Sequence, residues 1–143
     1  MTVEEGMSLI VKTVSRILFP LMFLFGVYII IHGHLTPGGG FPGGVVIASA
    51  VVMIVLAFGI ERAQKEFGEL QAELSESFGA FMLVGLGIVG IIVVGDFLGE
   101  VLPLGTLGSL FSGGNLPILN VGVGMKVGAG LITIIYAMLA VRK

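Results

Sequence analysis

The sequence predicts an all-α membrane protein with four transmembrane helices, and three observations carry that assignment. Of 143 residues, 56% are hydrophobic and only 11% charged, less than half the charged share of ordinary soluble domains. Ile17 to Ile60 contains no Asp, Glu, Lys or Arg. Apolar runs near the bilayer-crossing length of about 20 residues recur at 14–31, 43–60, 77–97 and 120–141. A 14.9 kDa globule cannot enclose that many apolar side chains, so lipid or neighbouring subunits must cover them. The expectation is one integral membrane domain spanning 1–143.

The first span opens after Lys12 and Arg16 and carries Pro20 within its first turns, where proline starts or kinks a helix. Glu4 and Glu5 precede any basic residue, and no A-x-A site follows the apolar run, which argues against a cleavable signal. Between the first and second spans lies HGHLTPGGGFPGG, from His32 to Gly44. Glycine reaches φ > 0 and admits other backbones closely, while proline fixes φ and removes a donor, so this turn has a particular shape. Its structural residues are Pro37, Gly38, Gly39, Gly40, Phe41, Gly43 and Gly44.

After the second span, ERAQKEFGELQAELSES has helical spacing, with Phe67, Leu70, Leu74 and Phe78 as an apolar stripe and Glu61–Lys65 and Arg62–Glu66 as i,i+4 pairs. It reads as a solvated continuation of the flanking helices or as a docking face. Between the third and fourth spans, GEVLPLGTLGSLFSGGNLPIL is long, apolar and broken by Gly and Pro. Non-helical backbone at membrane depth needs protein or a water-filled cavity around it, so this loop is expected to lie against other subunits or at the interface. Lys12, Arg16, Arg62, Lys65, Arg142 and Lys143 flank one side of the spans, and the 33–42 turn and 98–119 connection carry no Lys or Arg. The positive-inside rule then places both termini and the 61–76 loop in the cytoplasm.

Within the spans, Gly95–Gly99 and Gly124–Gly128 are GxxxG pairs and Gly44–Ala48 is small-xxx-small, spacings that let transmembrane backbones approach closely. Lys126, about six residues into the fourth span, is the ionisable group deepest in apolar sequence, and Asp96 is its nearest candidate partner. A charge at that depth needs a partner or a water cavity. Lys126–Asp96 reads either as a structural pair or as one stage of a proton or Na⁺ route, since lysine can exchange a proton. His32 and His34 share the outer half with them as ion-route candidates.

Several functions are disfavoured. A net charge of −2 offers no basic face for nucleic acid. Gly38, Gly40 and Gly43 fit G-x-G-x-x-G, but the dinucleotide motif needs a strand and a soluble βαβ unit. With no cysteine, and no carboxylate in the turn beside His32 and His34, a metal site is not expected, nor is a cofactor. No nucleophile–base pair suggests an enzyme. An independent small homo-oligomeric transporter would use a carboxylate in the first span, where this chain has none.

The wording of the turn is distinctive. The stretch FLFGVYIIIHGHLTPGGGFPGGVVIASA, ending at Ala50, resembles the MnhB-type component of the multisubunit Na⁺/H⁺ antiporters, the Mrp or Mnh family. A second match runs from Leu110 to Leu131, through Phe111-Ser112-Gly113-Gly114 and Leu119-Asn120-Val121-Gly122-Val123-Gly124-Met125-Lys126-Val127; Arg16 and Pro20 extend the likeness toward the N-terminus. The resemblance implies a non-catalytic subunit of a large hetero-oligomeric complex in a prokaryotic inner membrane, handling Na⁺ and H⁺. Homologous modules in membrane-bound hydrogenase-type respiratory complexes make a redox-driven host the alternative.

Overall fold

The computed structural model describes residues 7–35, 37–106, 108 and 112–142. Glu4 and Glu5, Thr36 of the turn, and Leu110 and Phe111 of the second motif lie outside that set. The described residues are helical, with no strand: α1 (Leu9–His32), α2 (Gly40–Phe58), α3 (Ile60–Glu66), α4 (Glu69–Val93) and α5 (Leu116–Val141). All but α3 are long and apolar enough to cross a membrane.

Helix α1 starts at Ser8, whose hydroxyl accepts the Val11 N–H at 3.3 Å. That start lies five residues before the expected one, so Pro20 stands inside the helix rather than near its beginning. Transmembrane helices absorb an interior proline because neighbouring groups re-satisfy the freed carbonyl. Helix α2 begins at Gly40, directly after Gly39 with φ +105. Gly40, Phe41, Gly43 and Gly44 therefore belong to α2 and not to the reversal, which is confined to 33–39. Gly59, at φ +89, separates α2 from the short α3.

Helix α4 begins eight residues before the apolar run that suggested it, because Glu, Gln, Ala and Leu in ELQAELSES are strong helix formers. The Gln71 side chain accepts the Gly68 N–H at 3.3 Å and fixes the first turn. The helix stops at Val93, not Phe97. Gly95, at φ +93, donates its N–H back to the Gly90 and Ile91 carbonyls, a left-handed glycine closing a helix C-terminus. Helix α5 begins four residues early, at Leu116, with Pro117 in its first turn.

The long helices form a row. α1 packs on α2, α2 on α5, and α5 on α4, with a lesser α1–α5 contact; α2 is the most enclosed of the four. Two seams are built from glycine. A Cβ on Gly44 would lie 2.8 Å from the Gly124 carbonyl oxygen and 2.9 Å from the Gly128 nitrogen. One on Gly40 would collide with the Asn120 carbonyl, so Gly40 and Gly44 fit against Gly124 and Gly128. Likewise a Cβ on Gly26 of α1 would come within 3.0 Å of the Gly43 carbonyl. Close backbone contact of this kind gains dispersion without needing water to drive it. A core of Val51, Ile54, Val55, Ala63, Ala72, Ile132 and Tyr136 fills the end of the row near α3. There the Tyr136 hydroxyl donates to the Phe67 carbonyl at 2.8 Å.

Candidate ion-route site at mid-span

An ion pair joins α4 to α5. Lys126 Nζ donates to Glu76 Oε1 at 3.1 Å. Lys126 stands ten residues from Leu116 and fifteen from Val141, about 15 and 22 Å along the axis. It is thus near mid-helix, deeper than the six residues expected. Its partner is Glu76 and not Asp96. Asp96 lies past the end of α4, exposed, with its carbonyl accepting the Gly99 N–H at 3.0 Å. The physical reason is register: α4 runs back along α5 from Glu69, so its eighth residue, and not its far end, meets Lys126.

The local sequence builds that meeting. Ala72, Glu76, Gly79 and Leu83 fall at i, i+4, i+7 and i+11 on one face of α4. Ala72 is fully buried, and a Cβ on Gly79 would lie 2.7 Å from the Gly122 carbonyl oxygen. The helices therefore touch backbone to backbone one turn from Glu76, drawing the two long side chains into ion-pair distance. The Glu76 side chain is 35% exposed and that of Lys126 44% exposed. Hydrocarbon solvates neither charge, so this face requires a polar neighbour or water. Glu69 and Glu73, both exposed, precede Glu76 at helical spacing on α4. Together they form a line of carboxylates from the basic-residue end of the row to Lys126.

The remaining candidates lie elsewhere. His32 stacks on Tyr28 with ring centroids 4.6 Å apart. His34 sits against the other outer loop, where a Cβ on Gly113 would be 3.4 Å from its Cδ2. Neither is beside Lys126. The turn that holds them rests on α5 through Asn120, whose side-chain amide would lie 2.9 Å from a Cβ on Gly33 and 3.5 Å from one on Gly39. Gly38 takes φ +149, and Pro37 is exposed.

The 94–115 connection is anchored by Asn115, a residue that no sequence motif singles out. Asn115 is 4% exposed; its amide donates to the Gly99 carbonyl at 2.8 Å and its oxygen accepts the Leu102 N–H at 3.3 Å. The connection folds back on α4, with the Phe97 ring over Gly87 and the Gly99 backbone over Gly90. Gly95 and Gly99 thus shape the end of α4 and its loop and do not form a helix-packing pair, whereas Gly124 and Gly128 lie in the α2–α5 seam.

Comparison with known proteins gives a consistent picture. Residues 10–133 match a family described as a domain related to the MnhB subunit of Na⁺/H⁺ antiporter. An uncharacterized protein of Methanocaldococcus jannaschii is 34% identical over 130 residues, 87% of this chain and 49% of that one. A Staphylococcus aureus protein named for antiporter subunit mnhB2 is 32% identical over 78 residues, 54% of this chain and 50% of that one. A chain of the membrane-bound sulfane sulfur reductase, an archaeal respiratory membrane complex, superposes with a TM-score of 0.78 at 39% identity, over 92% of this chain and 58% of that one. The chain spans about half the length of the curated relatives it matches.

Proposed function

Because this chain belongs to the family of domains related to the MnhB subunit of Na⁺/H⁺ antiporters, we propose that it is a non-catalytic membrane subunit of a cation/proton antiporter module, with Lys126 and Glu76 as one stage of its ion route. The observation that carries this reading is the ion pair itself. Two ionisable side chains meet at 3.1 Å near the middle of bilayer-length helices and remain partly uncovered. A purely structural pair at that depth would be enclosed, because each exposed charge costs solvation. The uncovered side faces outward from the α4–α5 seam, where a neighbouring subunit continues the route. Glu69 and Glu73 supply the approach from one end, and Lys126 exchanges a proton with Glu76, which arginine could not do.

The same module serves a redox-driven host equally well, and the likeness to a chain of the sulfane sulfur reductase complex favours keeping that reading. In either host the partners are other membrane subunits. The basic residues at one end of the row place that end in the cytoplasm of a prokaryotic inner membrane.

The test separates assembly from transport in the whole complex. Lys126→Met and Lys126→Arg are expected to assemble but lose ion flux. Removing one member of a desolvated pair leaves the other uncompensated, at about 3–5 kcal/mol. The double variant Lys126→Met/Glu76→Gln should therefore assemble better than Lys126→Met while remaining inactive. Wild-type flux in an assembled Lys126→Met complex overturns the route and leaves the pair structural.

A further inference from the structure

At the end of the row opposite the glycine turn, α1, α2 and α3 enclose a cavity of about 190 Å³ that the ion route does not use. Its floor is hydrocarbon, from Val51 and Ile54, and its walls are aromatic, from Phe19, Phe58 and Phe67. Arg16 and Arg62 both line it. The Arg16 guanidinium lies over the Phe58 ring at 5.5 Å, a stacking that immobilises the plane while leaving its N–H edge available. Arg62 is held by Glu66 at 3.5 Å, with both side chains more than half exposed.

The depth of these two arginines identifies what the cavity suits. Arg16 immediately precedes the charge-free stretch that starts at Ile17, and Arg62 follows its end at Ile60 by two residues. On two antiparallel helices they mark one plane, the boundary between hydrocarbon and headgroups. A ligand seated there meets two guanidiniums at its polar end and an apolar, aromatic recess beneath. We propose that this cavity is a binding site for one anionic phospholipid, its headgroup phosphate on Arg16 and Arg62 and the start of an acyl chain against Phe19 and Ile54. Guanidinium groups bind phosphate oxygens in bidentate fashion, and basic pockets between helices at the cytoplasmic face recognise such headgroups. Glu66 offsets Arg62 in the empty site and gives way as the phosphate arrives.

The protein, purified in mild detergent with the subunits that accompany it and stripped of lipid, is titrated with phosphatidylglycerol, phosphatidylcholine or inorganic phosphate. Retained lipid is counted by native mass spectrometry. One phosphatidylglycerol per chain is expected, with weaker retention of phosphatidylcholine and no displacement by millimolar phosphate. Arg16→Gln and Arg62→Gln should each weaken retention about fivefold, the effect of one basic group at a membrane surface. Lys65→Gln should leave it unchanged. Glu66→Gln should tighten retention, a gain that misfolding cannot produce. Equal retention in the Arg16→Gln/Arg62→Gln double variant overturns the proposal, as does equal retention of the two lipids. Displacement by inorganic phosphate makes this a soluble-anion site instead, which also overturns it.

Discussion

Gly79 lies against the backbone of Lys126: a Cβ built at Gly79 would fall 2.9 Å from the Lys126 nitrogen and 3.3 Å from its Cβ. The ion pair and the helix contact are therefore one construction, since Gly79 sits one turn beyond Glu76 on the same face of α4. Gly79→Val is expected to push α4 off α5 and open the Lys126–Glu76 distance. Overpacking of this kind costs about 1–3 kcal/mol. Lower thermal stability of the purified complex together with reduced ion flux is the expected result. Unchanged stability would show that the seam has slack. Gly130→Ala serves as a control, because its Cβ would meet the Glu76 carboxyl only at an ordinary 3.8 Å.

The α2–α5 seam makes a sharper contrast. Gly44→Val should impair folding and assembly, because even a Cβ there lies under 3 Å from two backbone atoms of α5. Gly85→Ala, in the middle of α4, meets nothing within 4 Å. It should be neutral or gain up to about 1 kcal/mol from helix propensity. Native-gel complex size and melting temperature for the two variants read this difference. Similar behaviour of both would mean that the glycine contacts carry little energy.

Orientation is tested by labelling. Cysteine at Gln71, in the first turn of α4 and exposed, should react with an impermeant thiol reagent only after cells are permeabilised. Cysteine at Thr106, exposed in the 94–115 connection, should react in intact cells. Labelling at position 71 in sealed cells contradicts the proposed cytoplasmic placement of that end.

Much of the architecture was legible because hydrocarbon thickness and residue type are written directly in the chain. The charge-free stretch to Ile60, the glycine turn and the later apolar runs locate the four long helices. Their ends were less legible. An apolar run reports where lipid begins, whereas a helix continues wherever backbone bonding is favourable, as Glu69 to Glu76 show at the start of α4. The partner of Lys126 was missed for a related reason. Pairing it with Asp96 assumed that groups at the ends of neighbouring spans meet, but the two helices overlap much further along their lengths. Glu76 did carry a signal, since it shares its face with Ala72 and Gly79. The anchoring role of Asn115 depends on Gly99 and Leu102, sixteen and thirteen residues away through an irregular loop. No periodicity announces such a contact.

The glycine seam between α2 and α5 also has a mechanical meaning. Because the two backbones are notched into each other at Gly40, Gly44, Gly124 and Gly128, neither helix can slide along the membrane normal without driving a side chain such as Val123 or Val127 through the other's main chain. α2 and α5 thus behave as a single spar. Any displacement that alters the Lys126–Glu76 distance must be carried by α4, swinging against a fixed post, and a neighbouring subunit that grips α4 would hold the lever.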